Sequence, residues 1–113
     1  MKKIETIKST RKFNDIIQNS NKVKSKYFIL CSELNKESTN PMFGVAVGKK
    51  VGNAVTRNKI KRQIRNIIDN NKKLFKKNTF YIIIGKKECK NAHFIDMNND
   101  LEKLLKKGAK YEK

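Results

Sequence analysis

The alternation of apolar and polar positions divides the chain into short periodic segments joined by polar ones. The clearest period lies over 54–75, where Ile60, Ile64, Ile67, Ile68 and Phe75 recur at helical spacing and define one stripe. A long amphipathic helix is predicted there. A second is predicted over 96–107, with Met97, Leu101, Leu104 and Leu105 inward and Gly108 as its stop. Near the start, Ser9 and Thr10 are good N-cap residues, and Phe13 and Ile17, four apart, share one face of a short helix ending near Gln18.

Between these helices the pattern turns to strands. The polar stretch 19–26 reads as a connector, and Tyr27-Phe28-Ile29-Leu30-Cys31 as a β-rich strand. Turn-forming residues over 35–41 lead into a second extended run, Met42-Phe43-Gly44-Val45-Ala46-Val47, expected to be the antiparallel partner of the first. The unbroken run Phe80-Tyr81-Ile82-Ile83-Ile84 has the mark of a central strand covered on both faces. The predicted order is α-β-β-α-β-α, with room for one further short strand. The class is α+β, helices on a small mixed sheet, in a single domain over 1–113.

Charge changes the picture most. Lys and Arg number 28 against 10 acidic residues, a formal net charge of +18. Such self-repulsion is best relieved by a polyanion, which points to nucleic acid or an anionic membrane surface. A Lys-rich composition can be a general solubilising bias, but that does not account for a helix carrying several Arg. No run approaches the ~20 apolar residues that span a bilayer, and Met1-Lys2-Lys3-Ile4-Glu5 lacks a secretory signal's apolar core. The expected compartment is therefore the reducing cytoplasm, with Cys31 and Cys89 as unpaired, partly buried thiols away from any metal-ligand spacing.

The informative stretch is 48–65. On a helix, Asn58, Lys61, Arg62 and Arg65 stack at i, i+3, i+4 and i+7, roughly opposite the isoleucine stripe, with Arg57 and Lys59 on the flanks. Guanidinium groups offer phosphates paired donors, and lysines offer point charges. Gly48 and Gly52 permit close backbone approach at a helix start whose free N–H groups favour anions. Any amphipathic helix needs a polar face, yet Asp69 is the only acid between Gly48 and Phe80. A merely solvated helix would gain from Glu–Lys pairs, so the neutralising partner is expected to be external.

This segment resembles the bacterial ribonuclease P protein family, whose signature looks like K-K-x-G-N-A-V-x-R-N-x-x-K-R-x-x-R. Lys49, Lys50, Gly52, Asn53, Ala54, Val55, Arg57, Asn58, Lys61, Arg62 and Arg65 stand in the matching places. Lys59 replaces an Arg of the family's Arg-Asn-Arg core, keeping the charge but losing the bidentate geometry. Lys12-Phe13-Asn14-Asp15-Ile16-Ile17 is similar to the family's first helix, and Tyr81-Ile82-Ile83-Ile84-Gly85 to its last strand. Ile17 stands where a second aromatic is common, and Cys31 where many members have a strand tyrosine.

The resemblance implies an α-β-β-β-α-β-α domain with a left-handed βαβ crossover, like domain 2 of ribosomal protein S5. It implies a subunit that assists a catalytic RNA in removing the 5′ leader of precursor tRNA, in the cytoplasm, monomeric and one-to-one with that RNA. Lys49, Lys50, Asn53, Arg57, Asn58, Lys59, Lys61, Arg62 and Arg65 would contact the catalytic RNA. Phe13, Ile17, Cys31, Lys61 and Arg65 would line a cleft for the single-stranded leader. Mg²⁺ would be held mainly by the RNA, with no catalytic residue and no tightly bound cofactor on the protein.

Other readings fit less well. A self-sufficient nuclease needs an acid–base pair or a metal-carboxylate cluster, and His93, Asp69, Asp96 and Asp100 form no such pattern. The run 44–50 faintly resembles a P-loop, but its glycine spacing is one short and no Ser or Thr follows the lysine. A ribosomal-type RNA-binding protein would share charge, size and fold class, and only the extended signature separates it. A membrane-surface helix would need exposed apolar residues, whereas the isoleucine stripe is committed to a core.

Overall fold

The computed structural model describes residues 6–36 and 39–111, with side chains through Lys106. The N-terminal stretch 1–5 and two residues of the predicted loop, 37–38, lie outside it. The order is α1 (Thr10–Asn19), β1 (Asn21–Lys24), β2 (Phe28–Leu34), β3 (Met42–Val47), α2 (Ala54–Asn70), β4 (Thr79–Gly85) and α3 (Phe94–Tyr111), with short 3-10 turns before and after α2 and before α3.

The strands form one mixed sheet in the order β1-β2-β4-β3. β2 lies antiparallel to β1 and β4, whereas β3 runs parallel to β4. This corrects the expected pairing of the second extended run. β3 is an edge strand beside β4, reached by a β3–α2–β4 crossover, and does not pair with β2. The apolar pattern marks both runs as strands, but β4, far along the chain with its Phe80 in register with Met42, wins the pairing. The polar stretch 19–26 also proves to contain a strand. β1 gains its ladder from β2 and its one apolar contact from Val23, with exposed lysines beside it at the sheet edge.

Alternation along β2, β4 and β3 sends side chains into two separate cores. On one face Phe28, Leu30, Phe43, Tyr81 and Ile83 meet Ile60, Ile64, Ile67 and Ile68 of α2 and Met97, Leu101, Leu104 and Leu105 of α3. On the other, Ile16 of α1 closes over Cys31 and Ile82, rimmed by half-covered Phe13, Ile17, Ile29, Phe80 and Ile84. Helices on both faces explain why β4 is apolar at nearly every position, as its continuous run predicts.

The helix ends differ from the pattern in instructive ways. α1 starts as predicted, with Ser9 Oγ accepting from the Lys12 N–H at 3.2 Å. α2 stops at Asn70, five residues before Phe75, where Asn71 Nδ2 donates to the Ile67 carbonyl at 2.8 Å. Phe75 still reaches the same core, lying edge-on to Phe43 at 4.8 Å and to Tyr81 at 4.9 Å. α3 continues through Gly108 to Tyr111, so Gly108 does not end it.

Candidate RNA interface

α2 begins where a Gly48–Gly52 connection turns the chain from β3 into the helix. Asn53 caps it, its Oδ1 accepting from the Thr56 N–H at 2.9 Å. Ile60, Ile64, Ile67 and Ile68 are all buried, which fixes the helix rotation. The opposite side then presents Asn58, Lys59, Arg62 and Arg65 to solvent, with Arg57 and Lys61 half-buried. Lys49, Lys50 and Asn53 are exposed at the helix's leading end. An added Cβ at Gly48 would meet nothing within 4 Å, so internal packing places no demand for glycine there.

The electrostatics of this face are one-sided. Ion pairs among the described residues join Lys12 to Asp15 and Glu33, Lys72 to Asp69, and Lys106 to Glu102. None involves a residue from Lys49 to Arg65. Arg57 Nε is buried without a hydrogen-bond partner among the described residues, a donor left unsatisfied at a cost. Val55 is the only strongly exposed large hydrophobic residue on α2, too little apolar surface for a helix that docks on lipid.

The α1 side of the sheet forms the second part of the site. Phe13 lies directly over Gly44 of β3: a Cβ there would come within 2.5 Å of its Cε2 atom. Glycine is what lets the ring rest on the strand. Ile17 is half-covered beside it, whereas Cys31 is fully buried beneath Ile16 and against Ile82. Expected as a lining residue, Cys31 instead offers no side-chain surface, because α1 covers its row of the sheet. Burial raises its thiol pKa, while nearby Lys22 and Ser20 act in the opposite direction. The structure thus gathers Phe13, Ile17 and Cys31 under one helix. Lys61 and Arg65 belong to the helix of the opposite layer, with edge strand β3, packed against α2, between the two groups.

Three further residues on the α1 face of the sheet escape sequence reasoning. Register places Lys22 beside Cys31 and Lys24 beside Ile29, on the α1 face at the sheet edge. Phe80 is half-buried on the same face, with Lys12 Nζ 5.0 Å from its ring centroid and 2.7 Å from Glu33. The two-residue alternation Lys22-Val23-Lys24 was the available signal for β1, hidden by the polar composition around it. Cys89, on the other side, donates its S–H to the Tyr27 carbonyl at 3.2 Å, and burial pushes its pKa up to about 11. Both cysteines are free. His93 is exposed. Among the described residues no helix is long and apolar enough to cross a membrane.

Fold and site define a class: a small α+β domain whose central helix buries an isoleucine stripe and holds an uncompensated cationic face outward. The family model for ribonuclease P matches residues 1–109. The chain is 36% identical over 106 residues to the ribonuclease P protein component of Macrococcus caseolyticus, covering 94% of this chain and 91% of that one. It is 31% identical over 113 residues to that of Bacillus velezensis, covering 100% and 97%. The Staphylococcus aureus RNase P protein superposes with a TM-score of 0.84 at 33% identity, covering 94% of this chain and 96% of that one. The Thermotoga maritima RNase P protein does so with 0.81 at 27% identity, covering 91% and 96%. The chain belongs to the bacterial ribonuclease P protein family. It is accordingly a tRNA-processing subunit of an endoribonuclease complex, partnered with a ribonuclease P RNA.

Proposed function

We propose that this subunit grips the catalytic RNA with the α2 face and its leading loop, and holds the 5′ leader of precursor tRNA in the groove beside α1, while the RNA performs the cleavage. The observation that carries this reading is the cationic face itself. Asn58, Lys61, Arg62 and Arg65 are held in one orientation by four buried isoleucines, and the three cations have no ion-pair partner among the described residues. Lys49, Lys50, Asn53, Arg57 and Lys59 extend that surface around the helix start. Phosphates would supply the missing counter-charge, and the Arg forks would set register along the RNA backbone.

The leader reading follows how proteins hold unpaired RNA, by backbone charge plus flat apolar surface. Phe13 supplies the ring, Ile17 an aliphatic flank, and Lys61 and Arg65 charge from across β3, with Cys31 as backing. Lys22 and Lys24 add cations on the far rim. The protein supplies no acid–base step in this reading. It raises substrate affinity and offsets RNA–RNA repulsion, which lowers the Mg²⁺ the RNA needs. We further propose a one-to-one complex of monomeric protein and RNA in the cytoplasm.

The test is cleavage of a precursor tRNA by a cognate ribonuclease P RNA at low Mg²⁺, with and without the protein. Stimulated cleavage at the correct 5′ position, with none by protein alone, is expected. Tight RNA binding without stimulation would leave an RNA-binding protein of ribosomal type, and RNA-free cleavage surviving rigorous purification would move catalysis to the protein.

A further inference from the structure

The groove beside α1 is apolar where a base would lie and charged along its borders. Strand alternation turns every second residue of β2, β4 and β3 toward α1, from the Ile29–Ile84–Ala46 rung at one end to the Glu33–Phe80–Met42 rung at the other. Of these positions only Cys31 and Glu33 carry a hydrogen-bonding side chain. Cys31 is sealed beneath Ile16. The Glu33 carboxylate, on the last rung, accepts from Lys12 Nζ at 2.7 Å. The strands' backbone N–H and C=O groups lie in the plane of the sheet and do not rise into the groove.

α1 brings no base-reading group of its own. Its inward side chains are Phe13, Ile16 and Ile17. Asn14 and Gln18 lie two residues either side of buried Ile16, about 200° around the helix from it, so their exposed amides face away from the sheet. Asp15 accepts from Asn19 Nδ2 at 2.8 Å and stands 3.9 Å from Lys12. Among the described residues, the border charges are Lys22 and Lys24 on β1 and the Lys12–Glu33 pair. Ammonium groups there suit the sugar-phosphate backbone, which is the same whatever the base.

A base in this groove therefore meets Phe13, Ile17 and their apolar neighbours with its face, and finds no donor or acceptor fixed opposite its edge. Stacking on an aromatic ring tolerates any sequence, because every base has a flat face. What still differs is the size of that face: adenine and guanine share a larger one, cytosine and uracil a smaller one. An apolar site discriminates weakly between molecules that differ only in polar substituents.

We propose that the α1 groove selects leader nucleotides by ring size alone, with Phe13 setting the preference. It favours a purine over a pyrimidine and does not distinguish adenine from guanine or cytosine from uracil. The inference rests on the leader-binding reading above and names the substrate class of that groove: unpaired precursor-tRNA leaders with a purine at the nucleotide lying on Phe13. Gly44 is what admits the ring to that place, since a Cβ there would come within 2.5 Å of it.

The test uses the assembled holoenzyme and precursor tRNAs carrying each of the four bases in turn at each leader position. Mature tRNA, and the catalytic RNA alone at raised Mg²⁺, serve as references. Dividing holoenzyme affinities by those of the RNA alone removes any preference that the RNA itself brings. At one leader position or more, purines are expected to bind roughly 2- to 5-fold more tightly than pyrimidines, with adenine and guanine within about 2-fold of each other and cytosine and uracil likewise. Phe13→Leu, which keeps an apolar side chain over Gly44, should abolish the purine preference. The wild-type panel decides by itself if that variant folds poorly. The inference is overturned by a difference above about 2-fold within either pair of bases, by equal affinity for purines and pyrimidines at every position, or by a purine preference that survives Phe13→Leu. If leader-bearing tRNA binds the wild-type holoenzyme no more tightly than mature tRNA, the leader reading itself falls and takes this inference with it. Where leader-bearing tRNA binds more tightly, any of the three overturning results removes only the ring-size selection.

Discussion

The two faces of the sheet solve different problems. On the α2–α3 side, strand residues and two helices enclose a continuous core, and nearly every large side chain is fully covered. Among the described residues on the α1 side only Ile16, Cys31 and Ile82 are closed in, and α1, ten residues long, leaves Phe13, Ile17, Ile29, Phe80 and Ile84 half-covered around them. A small basic domain carrying a net charge of +18 needs one well-filled core to offset its self-repulsion. It can then leave apolar surface partly open on the other face, where an extended ligand can lie. Stability and recognition are assigned to opposite sides of one sheet.

The sharpest way to break this comparison is to remove the same group from each face. Ile64→Ala, at a position with no exposure whose Cδ1 packs against Gly85, should cost about 3–4 kcal/mol in urea unfolding at fixed anion concentration. Ile84→Ala, half-exposed on the α1 side, should cost about 1 kcal/mol. Equal losses would mean that the α1 face is as tightly built as the other.

The cysteines, one on each side, sharpen it through pH. In the folded state Cys89 holds its proton up to about 11, against 9.0 for an ordinary thiol. Below 9.0 folded and unfolded chains carry the same proton. Between these values the unfolded chain releases it while the fold retains it, so stability falls as pH rises, by on the order of 2 kcal/mol. The stability difference between wild type and Cys89→Ala should shrink across that window. Cys31, whose pKa burial raises while Lys22 and Ser20 favour its thiolate, should give a shallower dependence. A steeper one at Cys31 would mean that Lys22 and Ser20 do not favour its thiolate.

A smaller effect than at Ile64 is expected at Gly44. An Ala Cβ there would lie 2.5 Å from the Phe13 ring and must displace it. Gly44→Ala should cost about 1–2 kcal/mol and weaken holoenzyme binding of leader-bearing tRNA more than of mature tRNA. Equal binding of both tRNAs, relative to wild type, would remove the Phe13 surface from leader recognition.

Much of this was legible before folding, and the exceptions share a cause. The isoleucine stripe and the cation row come from one helix with one period, so both could be read locally, and the Ser9 and Asn53 caps lie next to the helices they start. The apolar continuity of β4 likewise announced a strand with cover on both faces. The family signature placed the cationic residues on α2 by number, but it could not say that Cys31 would be sealed beneath α1, since that depends on where α1 crosses the sheet. Nor could polar composition reveal that Lys22 and Lys24 share a face with Ile29, because a four-residue edge strand exists only through its partner.

The sequence by itself therefore determined the helices, the central strand, the class of fold and the cationic face, since each is written in the spacing of neighbouring residues. Tertiary structure alone decided that β3 pairs in parallel with β4, that β1 forms, that α2 stops at Asn70 while Phe75 still reaches the core, and which side chains stay open beside α1. Those outcomes are set by contacts between residues tens of positions apart, where register and burial compete across the whole molecule and no local period records the result.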